Sequence, residues 1–146
     1  MTYLHAIHLK SLDVRKAAAW YSKMLGAEIL GEKETDDGLL NIYTNLHGVS
    51  LVITQHPNAD TMPRAPLEPH IGIEHFGLVL DELDPILEKL SEAGVEILVP
   101  PEDGFDGPNH LPSRWAFVRA PDDVRLELGE MPVSYTHLTL PTNREV

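Results

Sequence analysis

Gly26-Ala27-Glu28-Ile29-Leu30 and Gly94-Val95-Glu96-Ile97-Leu98 are two versions of one phrase, 68 residues apart. Each follows a stretch with helical spacing. Residues 13–25 carry apolar side chains at Val14, Ala17, Ala18, Tyr21 and Leu25, and residues 84–93 form the second such stretch. A glycine is expected at both junctions, because a left-handed residue lets a helix stop and the chain turn back as a strand. Working outward, strand-like segments appear at 3–10, 27–34, 39–45 and 49–54. Beyond the proline-rich stretch at 56–70 they recur at 72–80, 95–100, 114–119 and 124–129. Both halves therefore read β-α-β-β-β. The period is too long for a solenoid and fits one duplicated module. The expected class is α+β: two such modules forming a cup-shaped mixed sheet with helices on the outside.

The halves are separated by a stretch at 56–70 with four prolines and no hydrophobic periodicity. This gives module one as 1–55, a linker at 56–70 and module two as 71–132, together one domain over 1–132. Residues 133–142 read as the translation of a transposase-end adapter used in sequencing libraries. The segment 133–146 is accordingly read as a non-native tail. Deleting it should leave the melting temperature within ~5 °C, about 1 kcal/mol for a domain this size. A larger drop in a thermal melt would show that the tail packs.

Composition narrows the function. With 42% hydrophobic and 23% charged residues, the 146-residue chain is globular in character. No apolar run approaches a membrane span, and Met1-Thr2-Tyr3 leads into a strand rather than a secretory signal, so a cytoplasmic location is the default expectation. Net charge −12 argues against nucleic acid, which needs a basic face. The absence of cysteine removes disulfides, thiolate metal sites and a cysteine nucleophile together.

Three stretches carry a resemblance to a known family. The first is Leu12-Asp13-Val14 with Ala19-Trp20-Tyr21-Ser22-Lys23-Met24-Leu25-Gly26. The second is Glu74-His75-Phe76-Gly77-Leu78-Val79-Leu80-Asp81. The third is Phe117-Val118-Arg119-Ala120-Pro121-Asp122-Asp123-Val124-Arg125-Leu126-Glu127-Leu128. They resemble the first-helix signature, the histidine start and the "Asp-Pro-Asp-Gly … Ile-Glu-Leu" finish of the vicinal oxygen chelate superfamily. That superfamily includes glyoxalases, bleomycin resistance proteins and extradiol dioxygenases. The resemblance spans about residues 3 to 130.

The resemblance implies metal ligands on the first and last strands of each module. In module two these positions hold His75 and Glu127, whose imidazole and carboxylate suit a divalent ion: Fe, Mn, Zn, Ni or Co. In module one the family histidine falls at Ala6 when measured from Asp13, or at Ile7 when measured from the Gly-x-Glu-Ile-Leu phrase. His5 and His8 stand on either side. His8 shares a strand face with Ala6 and is the favoured ligand. His5 would need a bulge, and a module without a histidine ligand stays open. The fourth family position appears as Val52. His8, His75 and Glu127 would make the two-histidine, one-carboxylate set of non-haem iron oxygenases.

Outside that set, His110 sits in a Gly/Pro-punctuated loop as a candidate acid or base, with an ordinary pKa near ~6.5. Arg114 could hold a substrate carboxylate, the plainer reading being a surface ion pair. Tyr43 and His47 are weighed as cup-lining or structural, and Trp20 with Tyr21 as helix packing. The expected function is a metal-dependent enzyme that chelates vicinal oxygens of a small organic substrate, for oxygenative cleavage or lyase/isomerase chemistry. A homodimer is the expected assembly. The rival is a non-catalytic small-molecule binding or resistance protein holding its ligand in an apolar groove.

Overall fold

The computed structural model describes residues 1–104 and 112–131. Eight strands and two helices run in the order β1 (Ala6–Lys10), α1 (Val14–Leu25), β2 (Glu28–Glu34), β3 (Leu40–Leu46), β4 (Val49–Thr54), β5 (Phe76–Leu80), α2 (Leu83–Glu92), β6 (Ile97–Asp103), β7 (Arg114–Arg119) and β8 (Arg125–Glu130). They build two four-stranded sheets of identical topology, β1-β4-β3-β2 and β5-β8-β7-β6. In each, the first strand pairs in parallel with the last, and the other pairings are antiparallel. The chain is thus α+β with two βαβββ repeats. Two compact units result: residues Met1–Leu67 with Pro121–Val124, and Glu68–Ala120 with Arg125 onward.

In unit 1, Asp13 caps α1 by accepting from the Lys16 N–H at 3.0 Å. The helix buries Val14, Ala17, Ala18, Tyr21, Met24 and Leu25. Its apolar stripe meets the sheet face carrying Ile42, Leu51 and Ile53, each no more than 3% exposed. Gly26 ends the helix at φ 74° and Gly94 follows α2 at φ 79°, so both phrase glycines occupy the left-handed conformation expected of them. In unit 2, Leu83, Leu87 and Leu90 of α2 are buried, as are Ala116, Val118, Leu126 and Leu128 of β7 and β8. The Glu130 carboxylate, at the end of β8, accepts from the Leu83 N–H at 2.8 Å. It supplies the α2 terminus with the acceptor and the negative charge that Glu82 does not.

Element boundaries depart from the sequence expectation in three places, each with a cause. Ladder pairing of β1 begins at Ala6; before it, the His5 carbonyl accepts from Ser50 N–H at 3.3 Å. Strand β5 begins at Phe76 instead of 72, because Gly72 lies at φ 109° and the His70 ring bonds the carbonyls of Glu68 and Ile73, closing a turn. Strand β6 continues through Pro100 and Pro101 to Asp103, because it is an edge strand where a missing N–H costs little.

The β7–β8 turn holds two non-glycine residues at positive φ, Asp122 (60°) and Asp123 (62°). Left-handed backbone costs an ordinary L-residue about 1 kcal/mol. Arg64 lies 3.6 Å from the Asp123 carboxylate, a partly exposed pair of small energetic value. Asp123→Gly should therefore raise the melting temperature by a few degrees, on the order of 1 kcal/mol. A fall in the melt would show that the contacts of the Asp123 side chain outweigh the backbone cost.

Candidate metal centre

Alternation sorts unit 2 into two faces. The cross-strand pairs Ala116–Leu128 and Val118–Leu126 point to the helix side, while Phe117–Glu127, Trp115–Gly129 and Arg119–Arg125 point away from it. Glu127 therefore stands opposite two fully buried leucines and is itself only partly buried. Its direct neighbour on β5 is Gly77. A Cβ placed at Gly77 would come 3.3 Å from the Glu127 Cβ, so the glycine keeps the carboxylate's surroundings open. Two residues earlier, His75 brings Nε2 to 3.0 Å from Glu127 Oε2.

Three further side chains shape this pair. Glu74 Oε2 lies 3.2 Å from His75 Nδ1, so each ring nitrogen faces a carboxylate. Phe117 meets the imidazole edge to face, centroids 4.8 Å apart and planes at 85°, and Trp115 packs on Phe117 in turn. The Arg125 guanidinium stacks 4.1 Å above the Phe117 ring, and its Nε is 3.4 Å from Glu74 Oε1. Sequence reasoning missed Glu74, Phe117 and Arg125 as parts of this site. Arg125 was within reach of it, since residues two apart on a strand share a face.

The donors suit a divalent metal. Imidazole nitrogen and carboxylate oxygen are ordinary ligands of first-row ions. Two donors each ~2.1 Å from one ion and at right angles stand ~3.0 Å apart. If Nδ1 keeps its proton for Glu74, the lone pairs of Nε2 and Glu127 face each other and call for a cation between them. Among the described residues, no group of three or more His, Asp or Glu is placed to hold one metal ion together, Glu74 lying on the far side of the His75 ring from Glu127.

The ladders of the two units can be compared position by position. In β5–β8, Glu127 pairs with Gly77, two residues after His75. In β1–β4, Val52 pairs with His8, two residues after Ala6. With Val52 as the counterpart of Glu127, the pairings agree with the count from the helix start: Ala6 stands in the place of His75 and His8 in the place of Gly77. His8 shares the Ala6 face, as alternation implied, one pleat further along. Its Nε2 lies 3.0 Å from Thr54 Oγ1. The ring borders a cavity of about 230 Å³ together with Lys10, Met62, Arg64 and Asp122, all of unit 1. His5 is exposed, ahead of the ladder.

The remaining candidates fall elsewhere. Arg114 lies on the helix side of its sheet and grips Asp84 with both guanidinium nitrogens, at 3.0 and 3.2 Å. Hydrogen bonding from Arg114 holds the Asp84 carboxyl below its ordinary pKa. This is the surface ion pair of the plainer reading, on the face opposite His75 and Glu127. His110 lies outside the described residues. His47 bonds through Nε2 to the Leu25 carbonyl at 2.6 Å, closing the end of α1 as a structural cap. Tyr43 is 38% exposed on β3, and Trp20 packs edge to face on Tyr21. No helix among the described residues is long and apolar enough to cross a membrane.

The comparisons with known proteins agree with this architecture. A glyoxalase family protein from Enterococcus faecalis superposes with a TM-score of 0.69 at 22% identity, covering 88% of this chain and 97% of its own. A glyoxalase/bleomycin resistance protein/dioxygenase domain from Frankia sp. EAN1pec gives 0.71 at 20% identity, with 90% and 99% covered. The fosfomycin resistance protein FosX from Listeria monocytogenes, solved with Mn(II) and sulfate, gives 0.66 at 15% identity, with 92% and 96% covered. No curated protein matches the chain. Residues 4–128 match the Glyoxalase/Bleomycin resistance protein/Dioxygenase superfamily, and the chain belongs to that family.

Proposed function

We propose that this protein is a metal-dependent enzyme acting on a small oxygenated organic substrate, with His75 and Glu127 as ligands of a divalent ion. The observation that carries this reading is the pairing of His75 Nε2 with Glu127 Oε2 at 3.0 Å, on an open sheet face beside a glycine. A bound ion would polarise vicinal oxygens of the substrate, the chemistry shared by oxygenative cleavage and by lyase or isomerase reactions. The likeness to the Mn(II)-bound FosX structure supports a metal without choosing among these reactions. The chain's own contribution is local. Phe117 packs edge to face on the imidazole with Trp115 behind it, and Arg125 places a positive charge within the same patch.

His8 is the first-module candidate for a third ligand, on the strand face shared with Ala6. A second copy of the chain is the favoured partner, because edge strand β2 leaves Ile29 and Leu30 at least half exposed. One observation favours a second reading. Ala6 and Val52 put apolar groups where module two has donors, as in a non-catalytic binder with an apolar groove.

Metal analysis of protein purified without a histidine tag, followed by titration with Mn(II) and Zn(II), separates the two readings. The enzyme reading expects about one ion per chain. Under that reading, His8→Ala weakens the ion and His5→Ala leaves it unchanged. Protein that neither retains nor takes up metal is the binder.

A further inference from the structure

We infer that Glu74 is the positioning residue of His75. It accepts the Nδ1 proton, fixes the ring tautomer and turns Nε2 toward Glu127. The geometry is a relay of four side chains within unit 2. Arg125 Nε stands 3.4 Å from Glu74 Oε1, Glu74 Oε2 stands 3.2 Å from His75 Nδ1, and His75 Nε2 stands 3.0 Å from Glu127 Oε2. Glu74 Oε2 is within hydrogen-bond distance of His75 Nδ1, and Oε1 lies at ion-pair distance from Arg125. Phe117 completes the frame by stacking under Arg125 and meeting the imidazole edge on.

The chemistry follows from the two ring nitrogens. A neutral imidazole carries one proton, and whichever nitrogen holds it cannot offer a lone pair. A carboxylate at Nδ1 draws the proton there and leaves Nε2 as the donor facing Glu127. Outer carboxylates of this kind orient metal-binding histidines, and their loss costs 10–100-fold in metal affinity. Glu127 offers the same proton a second place at Nε2, so without Glu74 the proton would sit between Nε2 and Glu127 and block the donor position. The consequence for metal rests on the reading of His75 as a ligand; the tautomer assignment does not.

The test uses the full chain with ¹⁵N-labelled histidine. Metal-free wild-type protein should show a slowly exchanging Nδ1 proton on His75. Glu74→Gln, whose amide oxygen still accepts, should keep it. Glu74→Leu and the shorter, polar Glu74→Thr should both lose it, with intact folding checked by thermal melting. Zn(II) affinity should fall 10–100-fold in the Leu and Thr variants and much less in Gln. If the Leu and Thr variants keep the Nδ1 proton, the ring is held by Phe117 alone and the inference is overturned. If wild-type protein binds no Zn(II), the metal reading fails separately, and the Nδ1 signal still decides the role of Glu74.

Discussion

Glu127→Ala should strip the protein of divalent metal while leaving its fold intact. The carboxylate brings a negative charge to a site whose other described donor is a neutral imidazole. Its removal should exceed the ~100-fold upper cost of losing an outer partner. His75→Ala should do the same by removing the nitrogen donor. Neither change opens a core cavity, because both side chains lie on the face away from α2 and are about a quarter exposed. Melting temperatures should stay close to that of the parent protein, and isothermal titration with Mn(II) or Zn(II) reads the loss. Unchanged metal content in both variants would sink the metal assignment and leave the apolar-groove binder.

One residue along the same strand, the expected result reverses. Leu126→Ala should leave metal affinity nearly intact and cost about 3 kcal/mol of stability, on the order of 10 °C in a thermal melt. Leu126 is fully buried on the helix side, opposite Val118 across the ladder and beside Leu128. Truncation there removes transfer energy and leaves a void that a sheet clamped between β5 and β7 closes only in part. Calorimetry on the two neighbouring variants would separate the strand's structural face from its chemical one. Comparable melting losses at positions 126 and 127 would mean that this division of faces is wrong.

Much of this division was legible in the letters. The repeated Gly-x-Glu-Ile-Leu phrase located both helix stops, and apolar spacing located both helices, because those signals are local. Glu127 between two leucines announced its face by alternation. The first-module register was not legible. Counting from the helix start pointed to Ala6 and counting from the repeated phrase pointed to Ile7, since the helix–strand junctions of the two modules differ by one residue. The pairings His8–Val52 and Gly77–Glu127 favour the count from the helix start, and they depend on strand partners far apart in the chain. Glu74 and Phe117 were missed for a related reason. Their contacts to His75 depend on a turn that swings Glu74 beside its neighbour and on a ladder register across 42 residues of chain.

The β7–β8 turn has a consequence for the chain as it is made. Pro121–Val124 belongs to unit 1, where the Asp122 carboxylate accepts from the Leu12 N–H at 3.1 Å and Asp123 faces Arg64. When Leu67 leaves the ribosome, the first unit still lacks that turn, which follows roughly 50 residues later. At about 5–20 residues per second, the delay is a few seconds. During that interval the early half can lay down its hairpins and helix but cannot close over residues not yet synthesised. The two halves of the gene are therefore not interchangeable cassettes: the earlier one finishes folding with a piece lent by the later.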